Sequence, residues 1–153
     1  MPTVFITGAN RGLGLEFAKI YAENNWKVIA CCRAPFEATN LSQLASKFDE
    51  KIVIFKMDIC EKVDIKKFCD EYQNETIDLL INNAGAKFEN YGSAAYENMG
   101  EDPNPANYDY DMWAETMNVN LFAPTKLTGH LVPMLKRSKN AKVVMMSSGI
   151  ASL

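Results

Sequence analysis

Five short apolar runs stand out along the chain: Thr3–Thr7, Lys27–Cys32, and residues 52–57, 77–82 and 142–146. Each is rich in Val, Ile or other apolar residues and alternates little, which is how strands read when both faces are covered. Between them, apolar residues recur at helical spacing. The sets are Leu13, Phe17, Ile20, Tyr21; then Leu41, Leu44, Ala45, Phe48; then Ile65, Phe68, Cys69, Tyr72. Strand and helix in alternation predict right-handed crossovers and a parallel sheet with helices on both faces. A further long helix is predicted from residues 109–112 towards Arg137. Pro124 predicts a kink or a break one turn earlier, because proline lacks an N–H and crowds the preceding turn.

One stretch breaks the pattern. Residues 86–110 are polar and acidic, with Glu89, Glu97, Glu101, Asp102 and Asp109 against the single base Lys87. A connection of this length is usually functional or disordered. Composition adds limits rather than detail. At 153 residues, 48% hydrophobic and 23% charged, the chain reads as one ordinary globular domain. Its net charge of −3, without a basic cluster, argues against nucleic-acid or anionic-membrane partners. No apolar run approaches a membrane span, and the N-terminus carries no leader pattern, so the expected location is cytoplasmic. Cys31, Cys32, Cys60 and Cys69 form no CxxC pair and read as small buried hydrophobes; the adjacent Cys31 and Cys32 should face opposite sides of a strand. His130 has no ligand partners nearby in sequence, so no zinc site is expected.

The first strand ends in Thr7-Gly8-Ala9-Asn10-Arg11-Gly12-Leu13-Gly14, and a helix opens inside that run. One glycine permits a turn barred to other residues, another lets the backbone approach a pyrophosphate, and a third lets helix and strand pack closely. The helix N-terminus offers free N–H groups and the positive end of its dipole to phosphates. Position between a strand and a helix is the context that gives a glycine pattern meaning.

The spacing is GxxxGxG, and with it the chain resembles the short-chain dehydrogenase/reductase family. Asp58-Ile59, after the third strand, look like that family's adenine-contacting pair. Asn82-Asn83-Ala84-Gly85 match its NNAG motif, and Asn120 and Ser148 match two members of its catalytic tetrad. Asn10-Arg11-Gly12-Leu13-Gly14 with Cys32-Arg33 look most like the carbonyl-reductase and sniffer-like branch. The resemblance covers the whole chain. It implies an α/β, three-layer Rossmann-type doubly wound sheet of about five strands in the order 3-2-1-4-5. It also implies cofactor contacts from Gly8, Asn10, Arg11, Gly12, Leu13, Gly14, Asp58, Ile59, Asn83, Ala84 and Gly85, with Asn83 and Ala84 lining ribose and adenine and Gly85 permitting a turn. Asn120 would hold a water of the proton relay and Ser148 would polarise a carbonyl or alcohol substrate. Asn82 and Ser147 read as structural, Asn82 satisfying backbone groups between strands. A cap on the next helix is the bland reading of Asp58, but its place at the C-terminal end of a strand borders the ligand crevice.

Cofactor choice follows from charge. NAD-binding versions carry a carboxylate about 20 residues after the glycines to hold the ribose 2′-hydroxyl. Here the second strand ends Ala30-Cys31-Cys32-Arg33. A 2′-phosphate would meet Arg33, with Arg11 closing from the other side, so NADP(H) is the expected cofactor. Two solvated surface arginines are the bland alternative.

The family's Tyr-x-x-x-Lys pair is missing. Four residues after Tyr21, Tyr72, Tyr91, Tyr96, Tyr108 and Tyr110 come Asn25, Thr76, Ala95, Gly100, Met112 and Ala114. The expectation is therefore an NADP(H)-binding Rossmann domain over residues 1–153, truncated relative to the family, from an oxidoreductase. General acid catalysis contributes about 10²–10⁴-fold, so this chain itself should turn over poorly. A fifth strand left as an open edge invites a homo-oligomer through residues 142–146. The competing reading is a non-catalytic nucleotide-binding or interaction module; an FMN-binding flavodoxin-like domain is the third.

Overall fold

The computed structural model describes residues 1–48, 50–86 and 110–147. Five parallel strands form one sheet in the order β3-β2-β1-β4-β5. They are β1 (Thr3–Thr7), β2 (Lys27–Cys32), β3 (Ile52–Lys56), β4 (Leu79–Asn82) and β5 (Lys142–Met145). The helices are α1 (Gly12–Glu23), α2 (Thr39–Lys47), α3 (Lys62–Glu71), α4 (Tyr110–Met117) and α5 (Ala123–Leu135). This is the doubly wound arrangement expected from the alternation of strands and helices.

The two faces of the sheet carry separate cores. Phe5, Ile29, Phe55 and Leu80 pack with Ile65 and Phe68 of α3 and with Leu127 and Leu131 of α5. Val4, Ile6, Val28, Ala30 and Ile81 pack with Ala18 and Ala22 of α1 and Leu41 of α2. Cys31 belongs to the first core and Cys32 to the second, as alternation along β2 requires. Burial pushes the Cys31 thiol well above its ordinary range, and the neighbouring Cys32 adds to the effect.

Several boundaries differ from the sequence pattern. The fourth strand starts at Leu79 rather than at Ile77, because the Ile77 N–H bonds to the Met134 carbonyl of α5 at 3.3 Å. The apolar stripe of α1 is also displaced. Its buried residues are Gly14, Ala18 and Ala22, whereas Leu13 is 62% and Ile20 43% exposed. Close packing of α1 on β1 leaves room only for small side chains, and larger ones fall to the flanks. The long helix is interrupted as proline demanded: Asn118–Phe122 form a π-helical turn between α4 and α5, with Pro124 in the first turn of α5.

β5 forms one edge of the sheet, and all four of its residues are exposed. At the opposite ends of the strands, Asp78 accepts from the Thr3 N–H at 2.8 Å and from the Ser138 hydroxyl at 2.7 Å. Lys27 pairs there with Glu75. These contacts tie β1, β2 and β5 together at the end remote from the glycine turn.

Candidate cofactor site

The C-terminal ends of β1, β2, β3 and β4 meet at one rim, where open α/β sheets bind ligands. Three of the motif glycines take different roles there. Gly8 has φ +65°, and a Cβ on it would lie 3.0 Å from Ala84 Cα. Gly12 has φ +56°, and nothing stands within 4 Å of where its Cβ would be, so that side of the turn is open to a ligand. A Cβ on Gly14 would lie 2.3 Å from the Gly8 carbonyl oxygen. Gly14 therefore makes the close approach of helix to turn, as its spacing predicted.

Arg11 is the N-cap of α1, in extended conformation with no side-chain cap. No acidic residue stands in the first turn, so the first N–H groups and the dipole meet no negative charge from this helix. The Ala9 N–H bonds to the Cys31 carbonyl at 3.0 Å, fastening the turn to the end of β2. Arg33 follows directly. Arg11 and Arg33 are both exposed, and neither forms an ion pair among the described residues. Asn10 is half-buried in the same turn, and Leu13 is exposed beside it.

After β3, Asp58 Oδ1 accepts from the Cys60 N–H at 2.9 Å, and Asp64 Oδ2 accepts from the Asp58 N–H at 2.8 Å. Asp58 thus shapes the turn into α3, close to the bland reading, while remaining on the rim. Ile59 is buried in the core. The Cys60 thiol is raised, first by burial and then by the charge of Asp58, with Arg33 acting in the opposite sense. These charges show that Arg33, Asp58 and Cys60 occupy one neighbourhood.

The NNAG segment corrects the expectation for Asn82 and adds contacts at Asn83 and Gly85 that the sequence did not show. Asn83 does not present a free amide: its Nδ2 donates to the carbonyls of Thr7 at 3.0 Å and Gly8 at 3.2 Å. Asn82 does not serve backbone groups between strands, because its Nδ2 donates to Thr128 Oγ1 of α5 at 3.2 Å. Gly85 is not among the residues of positive φ; its missing side chain leaves space for Asn120 Oδ1, which a Cβ would meet at 3.2 Å. Sequence reasoning also missed Thr7. Its hydroxyl oxygen accepts from the N–H groups of Asn83 at 3.0 Å and Ala84 at 2.9 Å. A threonine ending a strand just before a glycine turn was the available signal.

Asn120 lies in the π turn, and both ends of its amide grip Ala86. Oδ1 accepts from the Ala86 N–H at 2.9 Å, and Nδ2 donates to the Ala86 carbonyl at 2.9 Å. The side chain is thus engaged in fixing the segment after β4. Asn118, two residues earlier, offers its carbonyl to the Ala123 N–H. Ser147 is exposed beyond β5, while Ser148 and residues 87–109 lie outside the described residues.

Comparison with known proteins agrees with this geometry. Residues 2–153 match the family model described as short chain dehydrogenase. Oxidoreductase BOA17 of Botryotinia fuckeliana is 29% identical over 146 residues, 94% of this chain and 48% of that protein. The short chain dehydrogenase gsfK of Penicillium aethiopicum is 30% identical over 158 residues, covering 99% and 58%. A carbonyl reductase from Pseudomonas aeruginosa, solved in complex with NADP, superposes with a TM-score of 0.83 at 29% identity, covering 100% of this chain and 64% of that one. The chain thus spans about half the length of these two curated relatives.

Proposed function

The chain belongs to the short-chain dehydrogenase family, and on that premise we propose that it is the dinucleotide-binding part of an NADP(H)-dependent oxidoreductase acting on a carbonyl or alcohol carbon. The observation that carries the reading is the uncapped start of α1 beside the open side of Gly12, with two exposed arginines at the same rim. That cradle fits a diphosphate: N–H groups and a positive dipole end face it, and no Cβ intrudes. Arg33 and Arg11 would hold the adenosine 2′-phosphate by charge-assisted hydrogen bonds. Asp58, Ile59 and Ala84 would border the adenine and ribose, with Gly8, Asn10, Leu13, Gly14 and Gly85 shaping the floor. When bound, the nicotinamide carries the hydride.

Within this reading Thr7 and Asn83 are positioning residues that hold Gly8. Asn120 grips Ala86 with its side chain, so the relay water would sit on backbone instead. Proline at 124 has no N–H to donate into the π turn before it, where such a water would find a carbonyl acceptor. Ser148 would polarise the substrate. The NADP complex of the Pseudomonas carbonyl reductase supports the choice of cofactor. A homo-oligomer paired through the open edge of β5 completes the proposal, supported by exposed Val143, Val144, Met145 and Met146.

Calorimetry on the folded chain tests it. NADPH should bind, and NADH should bind more weakly; no heat with either nucleotide would remove the reading. Because the chain has no Tyr-x-x-x-Lys, turnover should be absent even when NADPH binds. Binding without turnover alone would also suit a non-catalytic module, which restoring a tyrosine and lysine through a longer chain would separate.

A further inference from the structure

Asn82 is the last residue of β4 and is 4% exposed, yet only one end of its amide is paired. Nδ2 donates to Thr128 Oγ1 at 3.2 Å, and that hydroxyl donates its single proton to the Pro124 carbonyl at 2.8 Å. With its proton engaged, Oγ1 can only accept from Asn82, which fixes the nitrogen towards α5. Oδ1 is buried and has no hydrogen-bond partner among the described residues. Turning the amide over would be worse. It would bring Oδ1 against an oxygen already committed as donor elsewhere, and leave two N–H donors unpaired in its place.

Buried amide oxygens in folded proteins are nearly always paired, with protein groups or with ordered water. We propose that Asn82 Oδ1 binds an internal water molecule at the junction of β4 and α5, behind the floor of the rim. The water donates one hydrogen to Oδ1. Its lodging is a polar island in an otherwise apolar face: Leu80 precedes on the same side of β4, and Leu127 and Leu131 flank Thr128 on α5. The site bears on the rim because Asn83, the next residue, holds the Thr7 and Gly8 carbonyls. It does not depend on a dinucleotide being bound.

Oxygen-17 relaxation dispersion on the full chain counts waters that stay longer than the protein tumbles. Asn82→Leu keeps the side chain's shape without the acceptor and should lose one such water. Thr128→Val removes the partner of Nδ2 but leaves Oδ1, and should keep that water. An unchanged count in Asn82→Leu overturns the proposal, as does loss of the same water in Thr128→Val. Should Asn82→Leu not fold, the wild-type chain decides by itself. Rotating-frame cross-peaks between water and the Asn82 side-chain amide protons are then expected, and their absence overturns the proposal.

Discussion

The side-chain amide of Asn83 donates to the Gly8 carbonyl at 3.2 Å, so the residue after β4 holds the glycine turn after β1. Its other bond, to the Thr7 carbonyl, makes the bracket two-pronged. Asn83→Asp replaces the donor with a carboxylate facing two carbonyl oxygens. It should lower stability by about 2 kcal/mol or more, since buried acceptors lose their donor and a charge enters. Urea denaturation should register the loss as a lower midpoint, and NADPH affinity should fall with it. Asn83→Asp with unchanged stability would mean that the bracket contributes little.

Arg33→Ala should discriminate between the cofactors. A charge-assisted hydrogen bond contributes about 1.5–3 kcal/mol, so NADPH affinity should drop by roughly ten- to a hundredfold. NADH affinity should barely change. Titration calorimetry on both nucleotides checks this, and equal losses would remove Arg33 from the 2′-phosphate.

The strands and the role of Gly14 were legible because each depends on local pattern, whereas the order of the strands came only through the family resemblance. Parallel buried strands are continuous apolar runs, and a glycine triplet between strand and helix has few other uses. What stayed hidden depends on contacts between distant residues. Thr7 meets Asn83 across 76 positions of chain, and Asn120 meets Ala86 across 34. Nothing local tells an asparagine that pins a neighbouring loop from one that faces a ligand. The displaced stripe of α1 has the same origin. Helical spacing finds the larger apolar residues, but the closeness of α1 to the glycine turn decides that Gly14, Ala18 and Ala22 face inward.

Asn120→Ala should loosen the segment after β4 more than it unfolds the chain. Asn120 is exposed, so water compensates its lost bonds and the stability cost should be about 1 kcal/mol or less. The local effect is larger. Hydrogen exchange at the Ala86 N–H should accelerate, because its acceptor is the Asn120 side chain. Asn120→Asp keeps that acceptor and should preserve much of the protection. Equal acceleration in both variants would show that the amide nitrogen, bound to the Ala86 carbonyl, is the anchor instead.

Two helical glycines should respond in opposite directions to the same substitution. Gly14→Ala places a methyl 2.3 Å from the Gly8 carbonyl oxygen and 2.6 Å from Asn83 Nδ2, and should cost about 3 kcal/mol or prevent folding. Gly129 lies within α5 with nothing within 4 Å of its Cβ position and no positive φ. Gly129→Ala should therefore stabilise by about 0.5–1 kcal/mol, mainly by restricting the unfolded chain. Thermal melts of the two variants against wild type separate them by sign.

The cysteines set how stability depends on alkaline pH. Burial raises the thiols of Cys31, Cys32, Cys60 and Cys69 above their ordinary values, Cys31 the most. In the unfolded chain these groups ionise near their unperturbed value of about 8.5. As pH climbs past that point the unfolded state releases protons that the folded state still holds, so folding loses free energy. The contribution is fully present below about pH 8 and is lost as pH rises towards the folded-state values, at up to about 1.4 kcal/mol per pH unit for the fully buried Cys31 and much less for the other, more exposed thiols. Cys31→Ala removes the most strongly shifted group. Its stability should start lower, because a buried sulfur is gone, but decline less steeply between about pH 9 and 10. Parallel slopes for wild type and Cys31→Ala, measured by urea denaturation across that window, would show that Cys31 ionises as readily in the folded chain as in the unfolded one.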